Sequence, residues 1–312
     1  MIKILKNLTT KEWGLVAIVL VLIVFQVWID LTLPEFMGKI TELVQTPGSG
    51  MQAILFAGIR MLLLTLASVA VSVVITGLAA RIAANLSSRL RAGLFNKVQS
   101  FTMQEINNFS ISSLITRTTN DITQVQMLMV IGLQILIKSP ILALWAIVKI
   151  MGKSWQWSAA TGIAVAILII VSSIIISLAI PKFKLLQKQT DDLSRVSREN
   201  LTGLRVVRAY NAEQYQEDKF EKANSAFTHT NLFSNRLMAA LMPSVELIMN
   251  GLTLSVYWIG AALIASSAVS ERVPLFSDMM VFSSYAIQLL MAFMLLGVVL
   301  ILIPGASVSA DR

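Results

Sequence analysis

Polar side chains recur at helical spacing inside otherwise apolar runs of this 312-residue sequence. Glu246, Asn250, Thr253 and Tyr257 are spaced four, three and four. Asp278, Tyr285 and Gln288 follow at seven and three, and Gln134, Lys138, Trp145 and Lys149 at four, seven and four. Gln26 and Asp30 share a face with Met37. Such steps keep side chains on one face of a helix. An ionisable group inside a bilayer is costly and turns toward a cavity or a partner. These residue types offer hydrogen bonding and charge pairing to an amphipathic molecule rather than bond-making. Asp30, Lys138, Trp145, Glu246, Asn250, Thr253, Tyr257, Tyr285 and Gln288 are the candidate cavity residues. The competing reading is hydrogen bonding between helices, which Asn, Thr and Tyr do routinely. Asp278 and Lys149 also suit a membrane interface. Asp30 and Glu246 are both candidate partners for Lys138.

Other chemistry is poorly provided for. Cysteine is absent and His229 is the only histidine, so a zinc or haem site cannot be assembled from these types. No G-x-x-x-x-G-K-[ST] run occurs, so no phosphate-cradling loop is encoded in these residues. No basic, aromatic-interleaved run points to nucleic acid. The chain is 56% hydrophobic and only 13% charged. A soluble domain carries about 25% charged residues, so the composition is that of an integral membrane protein.

Six apolar segments must position the polar stripes: Leu15–Val44, Met51–Ala80, Met127–Ile150, Trp157–Ile180, Leu237–Ser266 and Leu275–Ile303. Each meets or exceeds the roughly 20 residues that a spanning helix needs. The first runs into Trp28 and Asp30 without a small-residue cleavage site, so it reads as a retained span. Three connections are short: Gln45–Gly50, Met151–Gln156 and Ser267–Pro274. Two are long, residues 81–126 and 181–236.

Basic residues set the expected orientation. Lys3, Lys6 and Lys11 precede the first span. Arg81, Arg89, Arg91, Lys97 and Arg117 lie in the first long connection, and ten more in the second. The positive-inside rule predicts that both termini and both long connections are cytoplasmic. Lys149 and Lys153 fall on the opposite side. The long connections are not linkers. Ile82, Leu86, Leu90, Leu94 and Val98 recur every four residues, and Leu186, Leu193, Val196, Leu204 and Val207 at threes, fours and their multiples. Both patterns predict amphipathic helices continuing the spans. Residues 181–208 alone would extend about 40 Å. Each connection has one weak helical point, "NNFSISSLITRTTND" at Asn107–Asp121 and "RAYNAEQ" at Arg208–Gln214, where Asn211 suits a helix N-cap. Each is expected to read as helix, short crossing element, helix. Pro34 and Pro243 cannot donate to the carbonyls of Asp30 and Ala239, so they are expected bends.

Taken with these features, the sequence resembles the transmembrane domain of exporter-type ATP-binding cassette transporters. The resemblance covers essentially all of residues 1–312. It rests on "TTKEW", similar to the family's interfacial elbow (residues 1–13), and on "LTLPEFMGKI", similar to its first-span pattern. "SSLITRTTNDITQVQ" is similar to its first-loop motif, with Ser112 where many members have Gly. "ENLTGLRVVRAYNAEQYQEDKF" is similar to its second-loop motif. The fold implied is an all-α membrane protein of six transmembrane helices with long cytoplasmic extensions and two short coupling helices.

The resemblance places those coupling helices at Ile111, Ser112, Ser113 and Leu114, and at Ala209, Tyr210, Asn211, Ala212 and Glu213. Their implied partners are nucleotide-binding domains, which would carry ATP and Mg that this chain does not bind itself. The chain here ends at "PGASVSADR", so such a domain is expected beyond it or on a separate chain. The "SLITRTTNDITQ" form is most similar to subunits of bacterial heterodimeric multidrug exporters. That implies a second transmembrane subunit, a heterodimer rather than a homodimer, in the plasma membrane. The implied work is outward movement of amphipathic drugs or lipid-like compounds by alternating access. A peptide or lipid cargo, or a six-span channel or structural protein without ATP coupling, are the alternatives.

Overall fold

A computed structural model describes residues 8–46, 50–102, 104–105, 109 and 111–311. All regular structure among them is helical. The helices are α1 (Thr10–Gln45), α2 (Met51–Gln99), α3, α4 (Trp155–Thr202), α5 (Leu204–Ala209), α6 (Glu213–Ala239), α7 (Leu241–Ser266) and α8 (Arg272–Asp311). The third, α3, is a run of Ile111–Thr116, Ile122–Ile131 and Ile137–Met151 joined by two π-helical turns, Arg117–Asp121 and Gly132–Leu136. Six helices are long and apolar enough to cross a membrane. In hydrocarbon every backbone polar group must be satisfied internally, and a helix does this within one segment.

The chain divides into two compact units, residues 1–162 with 252–312, and residues 163–251. In the first unit α1 packs along α2, and α8 packs along α3 and α1. Among its largest buried side chains are Val19, Ile23, Val27, Ile29 and Leu31 from α1, with Phe282, Tyr285 and Leu290 from α8. Trp157 stacks at a tilt on Phe282, ring centroids 5.3 Å apart. Close helix contact is made possible at Gly38, where a Cβ would sit 2.5 Å from Val281 Cγ2. Ser277 uses that closeness to donate its hydroxyl to the Gly38 carbonyl at 2.8 Å. Small residues that let backbones approach are the usual device for packing membrane helices.

Helix α1 begins in a reciprocal cap. Thr9 Oγ1 accepts from the Glu12 N–H, while the Glu12 carboxylate accepts from the Thr9 N–H at 2.9 Å. The same carboxylate is buried and takes both terminal nitrogens of Arg89 on α2. Of the expected elbow, residues 1–7 lie outside the described residues. Thr10–Trp13 form the first turn of α1 itself rather than a separate helix.

The second unit contains a helical hairpin whose two arms meet in register. Lys182 lies over the Phe233 ring at 5.3 Å, Gln189 Nε2 donates to the Ala226 carbonyl at 3.2 Å, and Lys219 Nζ reaches Glu199 Oε2 at 2.6 Å. Arg195 donates to the other Glu199 oxygen at 3.0 Å. Lys219 first, and then Arg195, holds the Glu199 carboxyl below the usual carboxylate range. Between α4 and α6 the chain turns through Gly203, the short α5 and a tight turn at Tyr210 and Asn211. Asn211 has φ 50°, the left-handed region that Asn tolerates better than most residues. It is therefore the turn residue and not the expected N-cap, a place taken by Ala212. The amide of Ala212 donates back to the Val207 carbonyl at 2.9 Å, closing the turn.

Candidate functional site

Asp30 is the centre of a polar cluster within the first unit. Its carboxylate accepts from Lys138 Nζ on α3 at 3.0 Å and from Ser68 Oγ on α2 at 2.7 Å. Its backbone carbonyl accepts from Gln288 Nε2 on α8 at 3.3 Å. That carbonyl is available because Pro34, four residues on, has no N–H to give it. One α1 residue thus ties four spanning helices together. Both members of the ion pair are partly covered, with side chains 25% and 30% exposed. Removing either partner would strand a charge in a poorly solvated place.

A second layer lies toward the end of α3. Tyr285 is buried, with its hydroxyl 2.9 Å from the Leu31 carbonyl and 3.0 Å from Glu35 Oε1. Lys149 Nζ lies 2.6 Å from the same Glu35 oxygen, and Lys153 pairs with Asp278. The two lysines that oppose the charge bias of the sequence are therefore each matched by a carboxylate.

Beside Asp30 the helices leave a cleft of about 510 Å³. Asp30, Lys138, Gln288 and Ser284 supply its polar part. Leu33, Met37, Met61, Ile287 and Met291 supply an apolar wall. Methionine is unbranched and polarizable, so it adapts to differently shaped apolar ligands. The cleft thus sets a charged, hydrogen-bonding side against an apolar one. Among the described residues no group of His, Cys, Asp and Glu is placed to hold a metal ion.

Of the nine cavity candidates, Asp30, Lys138 and Gln288 come together at the cleft, while Tyr285 is buried against Leu31 and Glu35. Lys138 pairs with Asp30 and not with Glu246. Glu246 and Asn250 belong to the other unit, where both are exposed. Thr253 is half-buried on α7, and the Tyr257 hydroxyl reaches only Met280 Sδ at 3.6 Å. Trp145 lines a separate apolar groove with Phe25 and Trp28, whose rings stack at 5.8 Å. Helical spacing finds residues on one face but not which direction that face points. Ser68 and Glu35 were missed. Serine is too common in spans to signal anything, and Glu35 lies off the Gln26–Asp30 face.

The expected coupling elements change in form. Ile111–Leu114 do not form an isolated crossing helix. They start α3, which continues through the π turn Arg117–Asp121. The Thr118 and Thr119 hydroxyls donate to the Leu114 and Ile115 carbonyls at 3.0 and 2.7 Å, so they are satisfied without breaking the helix. Residues 107, 108 and 110 of the expected break lie outside the described residues. In the second connection the short helix is Leu204–Ala209, Tyr210, Asn211 and Ala212 form the turn after it, and Glu213 already begins α6. Pro243 stands in the first turn of α7, just past the boundary with α6 at Ala240, where a missing N–H costs little.

The family model described as "ABC transporter transmembrane region" matches residues 16–293. An uncharacterized ABC transporter ATP-binding protein of Bacillus subtilis is 26% identical over 306 residues, covering 97% of this chain and 52% of that protein. Another, from Mycobacterium tuberculosis, is 29% identical over 235 residues, 75% of this chain and 40% of that protein. An ATP-dependent lipid A-core flippase of Pseudomonas putida is 24% identical over 173 residues, 54% of this chain and 28% of that protein. The chain thus spans about half or less of the length of these relatives. It is a multi-pass membrane protein, and it belongs to the ABC transporter transmembrane family.

Proposed function

We propose that this chain, as a member of the ABC transporter transmembrane family, is the substrate-translocating domain of an ATP-driven exporter. Its cargo is an amphipathic drug or lipid-like compound, moved outward across the plasma membrane by alternating access. The observation that carries the reading is the cleft at Asp30. A methionine-rich apolar wall meets a charge pair inside membrane-spanning helices, in a chain of this family.

ATP would be bound by nucleotide-binding domains rather than by residues 1–312, which contain no phosphate-binding loop. The charged hairpin of the second unit suits contact with such a domain. Its tip carries Tyr210, 80% exposed, and a groove of about 470 Å³ walled by Val207, Arg208, Glu213 and Phe220. The start of α3 at Ile111–Thr116 would be the second contact. Two states of the spanning helices, switched by closure of the nucleotide-binding domains, would present the cleft to alternate sides. The working unit pairs this chain with a second transmembrane subunit. The similarity of "SLITRTTNDITQ" to heterodimeric exporters favours a non-identical one. Both termini and both charged connections are assigned to the cytoplasm on their Lys and Arg excess.

The test is transport by the full-length protein and its partner in inside-out proteoliposomes. Uptake of a fluorescent amphipathic dye or a fluorescent lipid that requires ATP supports the reading. ATP-independent leakage in its place points to a channel and overturns it.

A further inference from the structure

Next to the Asp30–Lys138 pair lies a smaller pocket of about 170 Å³, lined from α1, α2, α3 and, through Leu295, α8. It differs in character from the cleft. Gln26, Ser72, Thr76, Gln134, Lys138 and Ser139 contribute to its lining. Gln134 stands in the π turn Gly132–Leu136. Single π turns inside α-helices are frequent at functional sites, because the extra residue re-aims a side chain.

Two polar groups here have no partner among the described residues: Ser139 Oγ and Gln134 Nε2. Ser139 is fully buried. A helical hydroxyl in an apolar setting ordinarily donates to the carbonyl four residues back. Thr32, Thr41, Thr65 and Ser284 all do so in this chain. Ser139 does not. Leaving buried polar groups unpaired costs free energy, more so in a bilayer. Both residues line this one pocket, so an occupant that reached the two groups would relieve that cost.

Lys138, Leu142 and Leu295 line both the pocket and the larger cleft. The two form a bipartite site, with an apolar length beside the methionines and a small polar end next to the ion pair. The formal charges at the junction already cancel. An anionic head would compete with Asp30 for Lys138, and a cationic head with Lys138 for Asp30. The groups left over are an amide N–H₂ and hydroxyls, which suit a neutral oxygen acceptor. The volume holds only a few water molecules' worth of matter. From this the geometry points to a head-group subsite for a small uncharged oxygen-bearing group, a hydroxyl or ester, on an amphipathic cargo. The inference rests on the exporter reading above and narrows its substrate class.

The test uses the full-length transporter with its nucleotide-binding domains and partner subunit, in nanodiscs. ATP hydrolysis is titrated with three probes on one ten-carbon chain: 1-decanoylglycerol, decanoate and decyltrimethylammonium. The neutral probe is expected to reach half-maximal stimulation at a concentration about tenfold below the other two, as two net hydrogen bonds allow. Ser139→Ala and Gln134→Met should each raise that concentration about fivefold for the neutral probe alone. Ser139→Thr, which keeps the hydroxyl, should retain the preference. Thermal melts matched to the unmodified protein establish that each variant folds. Equal half-maximal concentrations for the three probes, or variants that leave the neutral probe unmoved, would overturn the subsite and leave export standing. Failure of every probe to stimulate hydrolysis, with no dye or lipid transported, would overturn both.

Discussion

Lys138 Nζ lies 3.0 Å from Asp30 Oδ2, joining the third spanning helix to the first across 108 residues of sequence. The pair is only partly exposed and sits where the apolar cleft meets the polar pocket. Its first consequence is thermodynamic. Asp30→Asn and Lys138→Met should each destabilise the folded protein by about 2–3 kcal/mol, because each strands the opposite charge. The double variant should recover most of that loss. Thermal unfolding in nanodiscs checks it. Additive losses in the double variant would show that the two charges are not coupled.

Pro34 and Gln288 should also be coupled. Gln288 satisfies a carbonyl that Pro34 leaves without its helical donor. Gln288→Leu should cost about 1 kcal/mol in the native background. In a Pro34→Ala background the helix supplies its own N–H, and the same change should cost little. A double-mutant cycle on thermal stability measures the difference, and equal costs in both backgrounds would refute the pairing.

Gly38 sets how closely α1 approaches α8. Gly38→Ala should destabilise by about 1–3 kcal/mol, since its Cβ would overlap Val281 and crowd the Ser277 hydroxyl. Val281→Ala should relieve part of it. Gly14→Ala, where nothing lies within 4 Å of the new Cβ, is the control and should not destabilise.

The charged hairpin should respond to acid. Glu199 has its carboxyl lowered by Lys219 and then Arg195, so its contribution is present above the ordinary carboxylate range. It is lost as pH falls through the lowered value. Amide hydrogen exchange around residues 195–220, corrected for intrinsic rates, should therefore rise at the acid end. Glu199→Gln should raise it at neutral pH and flatten the dependence. An unmodified protein whose protection is constant over that range would contradict the linkage.

Much of this was legible in the sequence. Long apolar runs have few options in a bilayer, so six spanning helices followed from composition. The freed carbonyl of Asp30 followed from Pro34 alone. What covers that carbonyl did not, because Gln288 lies 258 residues away and nothing local encodes their meeting. Helical period also grouped Glu246 and Asn250 with Tyr257, yet the compact units divide between them. The Ser- and Thr-rich start of α3 looked like a break, since those residues favour caps and turns. It is helical, and the Thr118 and Thr119 hydroxyls are satisfied by bonding back to its own carbonyls. Asn211 read as a cap for the same propensity and is instead the left-handed residue of the turn.

The central claim is that the Asp30 cleft carries an amphipathic cargo under the control of ATP. Its most direct test is ATP-driven dye uptake into inside-out proteoliposomes by the full-length transporter and its Ile287→Trp variant. Ile287 lines the cleft without joining the charge pair. An indole there should fill the apolar wall and cut uptake at least about tenfold, as the loss of one good apolar contact allows. The variant should keep its thermal stability. Uptake by the filled variant at the unmodified rate, at matched stability, would show that the cargo passes elsewhere.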